Sequence, residues 1–371
     1  MGYVLVELAV GSSLIAGAFG GVYLGVDYLR GRHTAIAARE AEPPPSELLP
    51  AVVPPPPLVE PIETPRPTPS SDGWAFDPSW TFMGKSDAEL MAPLMTGEVA
   101  KVKFNRGGSS LSLRLEFADG TRAAFKPDQT NFQTIPRKEI AAYRIARLLG
   151  IDRVPPASAR KFLRSDLAQK LEPAARELLP RLLAETKIDE DGYVVGELSY
   201  WIPKIEDFSL GGFKIDSVDG MVTWKRFLSA TGKPPPAAVE PLLPQLSTML
   251  VFDYLINNSD RWSGSNAKGS PDGKVLFYMD NTLSFGPEKE GHTRVRIYLE
   301  RSQKFSRALI EALRALDEAK LRFAVSTNTA PYPRLLTDAE IRAVLHRRER
   351  FLAHVQTLIE THGEDVVLAY P

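Results

Sequence analysis

Apolar and polar positions alternate over 111–117, LSLRLEF, and predict a strand with one face toward a core. The turn residues Ala118-Asp119-Gly120 follow, and 121–127, TRAAFKP, predicts the hairpin partner. From Arg137 to Leu149 the period becomes helical. Ile140, Ala141, Ile145, Leu148 and Leu149 mark the apolar face, and Gly150 suits the C-terminal end. Residues 161–186 predict helix broken at Pro173 and Pro180, and 192–203 a strand or hairpin. Gln245 to Asn257 reads as a strongly apolar helix, and 275–279, VLFYM, as a buried strand after the turn Pro271-Asp272-Gly273. Helices are expected near 300–320 and 338–361. The second opens with Thr337-Asp338-Ala339-Glu340, a capping box. No internal repeat interrupts this order of a β-rich part followed by a mostly helical part.

The N-terminal pattern differs. Residues 8–26 carry no charge, enough to predict a membrane span. Glu7 and Asp27 bracket the run, and Arg30, Arg32 and Arg39 follow it, which predicts a cytoplasmic C-terminal side. With no positive segment ahead of the run, a signal anchor over 1–30 is expected rather than a cleaved signal peptide; a buried globular helix is the alternative. Gly17, Gly21 and Gly25 fall on one helical stripe and suit close pairing of two such helices in a homodimer. Twelve prolines in 43–69, including Pro54 to Pro57, predict a stiff, disordered linker over 31–72, with a ligand for a proline-recognising domain as the other reading. The rest is expected to divide at about 205 into 73–205 and 206–371.

Composition narrows the function. Lys+Arg total 45 and Asp+Glu 46, a net charge of −1, which argues against an electrostatic nucleic-acid binder. The absence of cysteine excludes disulfides, thiolate nucleophiles and zinc ribbons. The five histidines are scattered, without the helical spacing of a zinc hydrolase. No Walker loop, GxGxxG or GxSxG elbow is present.

Polar residues cluster where the apolar helix 245–257 ends. The run Asn257-Asn258-Ser259-Asp260-Arg261-Trp262-Ser263-Gly264-Ser265-Asn266 delivers Asp260 and Asn266, and Asp280 follows directly after the buried strand. Carboxylates beside an amide oxygen at strand and helix ends suit Mg2+ or Mn2+, hard cations that complete their shells with phosphate and water. Asp260 is placed to deprotonate an attacking hydroxyl. Lys126 ends a predicted strand and Glu139 lies on the next helix, the arrangement that positions ATP phosphates in kinase-type sites. Gly107-Gly108-Ser109-Ser110 precedes the hairpin, with backbone amides suited to phosphates. Taken singly, each of these is as well explained by a salt bridge or a turn; their order along the chain favours a kinase.

Four stretches carry a family resemblance: GGSSLSLRLEFADGTRAAFKP, KEIAAYRIARLLGIDRVPPA, VFDYLINNSDRWSGSN and FYMDNTLSFG. Over about 100–320 the chain resembles the atypical secretory-pathway kinases, the Golgi casein kinase and four-jointed group. More distantly it is similar to HipA-like and phosphatidylinositol 3-/4-kinase-like enzymes. The resemblance implies an α+β, two-lobed protein-kinase-like fold, with a small β-rich lobe and a larger helical one. It implies ATP and Mg2+ or Mn2+ as cofactors, Lys126 and Glu139 as the nucleotide-phosphate pair with Gly107 and Gly108 beside them, Asp260 as catalytic base, and Asp280 and Asn266 as metal ligands. Trp262 stands where the family has histidine and Thr282 where it has glycine. The missing cysteines rule out the disulfides of animal members and suggest a bacterial relative.

The expectation is a membrane-anchored ATP-dependent phosphotransferase acting on a hydroxyl, with protein Ser/Thr ahead of lipid or sugar. The alternatives are a nucleotide-binding pseudokinase and a scaffold. The charge pattern predicts a single-pass protein of a bacterial inner membrane with its kinase-like part in the cytoplasm; the resemblance points to the secretory side instead.

Overall fold

The computed structural model describes residues 79–105, 109–263 and 266–371. The run 8–26, Gly17, Gly21, Gly25, the proline-rich linker, Gly107 and Gly108 lie outside the described residues. Among the described residues no helix is long and apolar enough to cross a membrane.

A short helix, α1 (Asp87–Thr96), capped by the Ser86 side chain, leads into a five-stranded antiparallel sheet. Its strands are β1 (Val99–Phe104), β2 (Leu113–Phe117), β3 (Arg122–Pro127), β4 (Ala157–Leu163) and β5 (Tyr193–Tyr200), in the order β1-β2-β3-β5-β4. The hairpin β2–β3 forms where the alternation predicts it, with Leu113 opposite Phe125. Both edge strands depart from expectation. β1 was not predicted, so the loop holding Ser109 and Ser110 joins two strands; β4 occupies the start of a segment expected to be helix. Lys101, Lys103, Arg160 and Lys161 hide the period of these strands, and charge of this kind protects an open sheet edge.

Period two then sorts the sheet into faces. Phe125, Val194 and Leu198 join Met91, Leu94, Leu113 and Leu115 in one core. Ala124 and Lys126 of β3, with Glu197 and Ser199 of β5, turn to the opposite face and line a cavity. Register sets these neighbours: Lys126 lies across from Glu197, and Ala124 from Ser199. Gly196 permits the pairing, because a Cβ there would meet the Lys126 carbonyl oxygen and the Phe125 ring, each at 2.6 Å.

Helix α2 (Arg137–Leu148) matches its prediction but is buried nearly all round, not along one stripe. Gly150, at φ +70°, follows its end in the left-handed conformation that suits glycine. Helix α3 (Leu243–Ile256) is the buried centre of the helical part. The helix expected near 300–320 is two, α4 (Arg307–Ala315) and α5 (Glu318–Ser326), because Asp317 caps a new start through its side chain. The final helix α6 (Asp338–His362) has the predicted capping box between Thr337 and Glu340.

Candidate active site

Arginines of α2 hold that helix in place. Arg147 donates to the fully buried Asp87 of α1 from Nε at 2.6 Å and from Nη2 at 3.2 Å, and Tyr143 adds a third hydrogen bond at 2.8 Å. Arg144 donates to the carbonyl of Ala324 in the last turn of α5 and to those of Thr327 and Asn328 just past it. Arg137 pairs with Glu340 of α6. This fixed helix carries Glu139 to the cavity wall.

At the wall the Lys126 ammonium donates to Asp280 Oδ1 at 2.5 Å. Lys126 therefore pairs with Asp280; Glu139 acts on it only through its charge. Burial works against the Lys126 charge, but Asp280, then Glu139 and Glu197, hold its pKa above that of free lysine. The same ammonium holds the Asp280 carboxyl below the usual range, with burial opposing. The Asp280 side chain is 42% exposed and opens into the cavity. Its φ of +62° is a left-handed conformation that a non-glycine residue keeps only when its surroundings impose it.

Asn281 supplies that constraint, and sequence reasoning assigned it no role. Its backbone N–H and its side-chain Nδ2 both donate to Glu139, the second at 2.8 Å. Its Oδ1 accepts from Arg261 at 2.6 Å and from Asn258 at 3.1 Å. Arg261 in turn clasps Asp253 of α3 through Nε, at 2.8 and 2.9 Å, and reaches the Met279 carbonyl. One hydrogen-bonded chain thus joins α2, α3, the 258–263 turn and the Asp280 segment. Burial pushes the Asp253 carboxyl up to about 6, with Arg261 opposing.

Asp260 opens a short 3-10 turn after α3. Asn257 ends α3 at φ +58°, left-handed, and turns the chain toward the cavity. The Asp260 carboxylate accepts from Asn266 Nδ2 at 2.9 Å and from the Ser263 hydroxyl at 3.1 Å. Asn266 lines the cavity with Lys126, Glu139 and Asp280, and so connects Asp260 to it. Trp262, in the place of the family histidine, donates Nε1–H to Asp253 at 3.0 Å and packs on Tyr298, so it braces the turn. Thr282 donates to Asp280 at 3.4 Å.

The cavity holds about 500 Å³. Lys126, Glu139, Glu197, Asp280 and Lys268 line its polar part; Tyr200, Trp201, Ile202, Pro203 and Ile205 line an apolar part. Ser110 and Ser112 face it from the loop between β1 and β2. Buried Gln129 pins the end of that loop to β3, accepting from Leu111 N–H at 2.8 Å and donating to the Pro127 carbonyl at 3.1 Å. Glu197 is a further residue that spacing did not reveal. It is 1% exposed and neither carboxylate oxygen has a hydrogen bond of normal geometry. Burial, then the charge of Glu139, pushes it up to about 8; Lys126 opposes this, and so, less strongly, does the Ser199 side chain, which lies near enough for a weak polar contact but not for a well-formed hydrogen bond.

Among the described residues no three acidic or histidine side chains form a metal cage. Asp280 and Asn266 instead offer oxygens to a shared cavity, which fits a divalent cation that takes its remaining ligands from phosphate and water.

A glycosaminoglycan xylosylkinase of Danio rerio is 23% identical over 318 residues, 76% of this chain and 77% of that one. The Homo sapiens extracellular serine/threonine protein kinase FAM20C is 22% identical over 325 residues, 74% of this chain and 54% of its own. The pseudokinase FAM20A of Mus musculus is 24% identical over 310 residues, 71% of this chain and 56% of its own. The crystal structure of the Golgi casein kinase superposes with a TM-score of 0.56 at 16% identity, covering 76% of this chain and 79% of that one. The chain is similar in fold to the Golgi casein kinase. It shares a kinase-like fold of mixed α and β content with that protein, whose structure is also known with Mn/ADP bound. No family profile matches the chain.

The relatives correct one expectation. A bacterial inner-membrane location is overturned: the sequence relatives are proteins of Danio rerio, Mus musculus and Homo sapiens, one of them named as extracellular, and among the described residues no helix is long and apolar enough to cross a membrane. Neither the anchor nor pairing through Gly17, Gly21 and Gly25 draws support from the described residues.

Proposed function

We propose that the chain is an ATP-dependent phosphotransferase that moves the γ-phosphate to an alcohol, with the nucleotide held between a small sheet-based lobe and a larger helical lobe. The observation that carries this reading is the Lys126–Asp280 contact, which brings residues 154 apart in sequence together on a cavity wall. The apolar part of the cavity, with Tyr200 and Trp201, suits a nucleobase, and Lys126 meets the phosphates. Asp280 and Asn266 would hold Mn2+ or Mg2+, which supplies charge neutralisation for the phosphates. Asp260 accepts the acceptor's hydroxyl proton as the oxygen forms its bond to γ-phosphorus and the bond to the β-phosphate oxygen breaks, releasing ADP. Position and charge do most of this work.

Serine or threonine in a protein is the expected acceptor. A sugar hydroxyl is the second reading, favoured because the xylosylkinase matches over 77% of its length and the protein kinase over 54%. We prefer this reading to a pseudokinase because Lys126, Glu139 and Asp280 line one cavity, and Asp260, though not in its lining, is hydrogen-bonded to Asn266, which is. The test is transfer of labelled phosphate from ATP with Mn2+ to casein and, separately, to a xylose-containing acceptor. Transfer that vanishes with EDTA and in Asp280→Ala is expected. No transfer to either, and no thermal stabilisation by Mn2+ and ADP, overturns the reading.

A further inference from the structure

Three carboxylates surround Lys126, and they are not equivalent. Asp280 already accepts from the ammonium. Glu139 has both oxygens taken by Asn281, so α2 does not deliver a free carboxylate. Glu197 lies directly across the sheet from Lys126, lines the same cavity, is 1% exposed and has neither oxygen hydrogen-bonded. A buried carboxylate without partners is a standing cost to the fold. The packing around it gives no reason for that cost: Val194 and Leu198 of the same strand lie on the other face, in the apolar core.

The proposed reaction supplies a reason. A cation that binds Asp280 competes with Lys126 for its oxygens. Lys126 then loses its one carboxylate hydrogen bond while it must still face the phosphates. We propose that Glu197 is a positioning residue that takes up the Lys126 ammonium when a metal-bound triphosphate claims Asp280. The inference rests on the phosphotransferase reading above. The three acids do not close into a metal cage among the described residues, which favours Glu197 as a partner of the ammonium over a metal ligand. The groups facing it are Lys126 from β3, Glu139 from α2 and Asp280 from the segment that follows the short strand Leu276–Phe277, with Tyr332 close enough to feel its charge. Lys126 is the one cation among them.

The test compares the full chain with Glu197→Gln and Glu197→Met by thermal melting and by steady-state kinetics with ATP and Mn2+. Both variants are expected to melt at or above the wild-type temperature, because a buried carboxyl group whose oxygens lack hydrogen-bonding partners has gone. Both are expected to lose about tenfold or more in kcat/KM for ATP, equivalent to about 1.4 kcal/mol of transition-state stabilisation. Stability and activity moving in opposite directions is the signature that a packing role does not produce. The inference is overturned if Glu197→Gln keeps kcat and KM within twofold of an active wild type, or if activity falls only as far as the melting temperature does. A wild type that neither binds Mn2+ with ADP nor transfers phosphate overturns the phosphotransferase reading itself, and this inference with it.

Discussion

Glu139 receives two hydrogen bonds from Asn281, one from the backbone N–H and one from the side-chain amide at 2.8 Å. The residue after the candidate metal ligand is thereby tied to the helix behind Lys126. Asn281→Ala keeps the backbone N–H but removes a fully buried side-chain amide, whose Nδ2 donates to Glu139 and to the Tyr278 carbonyl and whose Oδ1 accepts from Arg261 and Asn258. Each stranded partner costs about 1–3 kcal/mol. The expected result is a lower urea midpoint and a rate loss larger than the loss of nucleotide affinity, read by denaturation and by titration with Mn2+ and ADP.

Asp260 is held by Asn266 and Ser263, not by the Lys126 cluster. Asp260→Asn should therefore leave Mn2+/ADP binding near the wild-type value while kcat falls about 10²–10⁴-fold, the usual contribution of a general base. Calorimetric titration beside initial rates checks both halves. Equal losses in binding and rate would assign Asp260 to the binding surface.

The Arg261–Asp253 pair is fully buried. Asp253→Ala strands a guanidinium that also holds Asn281, and should lower stability by about 3–5 kcal/mol. Chemical denaturation measures this. Nucleotide stabilisation should weaken with it, because the Asp280 segment loses its brace.

Glu197 sets a pH signature. Burial, ahead of repulsion by Glu139, raises its folded pKa to about 8, against 4.5 for the unfolded group. Between these values the folded chain retains a proton that the unfolded chain has released, so stability is present below 4.5 and lost as pH rises through 8. Glu197→Gln cannot titrate. Its melting temperature minus that of the wild type should widen steadily from pH 5 to pH 8.5. A constant difference across that range would contradict the assignment.

At Gly196 any side chain collides with the Lys126 carbonyl oxygen and the Phe125 ring. Gly196→Ala should cost about 1–3 kcal/mol as overpacking and shift Lys126 along its strand. Thermal melting with and without Mn2+ and ADP checks both effects.

The residues of the site that were legible in the sequence sit where a hydrophobic period stops: Lys126 at the end of β3, Asp260 past α3 and Asp280 past 275–279. Their polarity stands out against apolar runs, and their order matched a kinase. What stayed hidden depends on register and on contacts between distant segments. Glu197 in YVVGELSY looks like the solvent side of a strand until β5 is paired with β3. Asn281 looks like a turn residue until α2 is packed behind it. The edge strands β1 and β4 escaped because their lysines and arginines blur the alternation that marked β2 and β3.

The three arginines of α2 carry one more consequence. In kinases controlled by the swing of the helix behind the phosphate-binding lysine, an outward position silences the enzyme. Here the helix is moored at its start to Glu340, along its length to carbonyls at and just past the end of α5, and near its end to Asp87, so an outward excursion would break the partly buried Arg137–Glu340 pair and the buried Arg147–Asp87 pair together. Mooring of this kind opposes any switch that would work by swinging the helix away from Lys126.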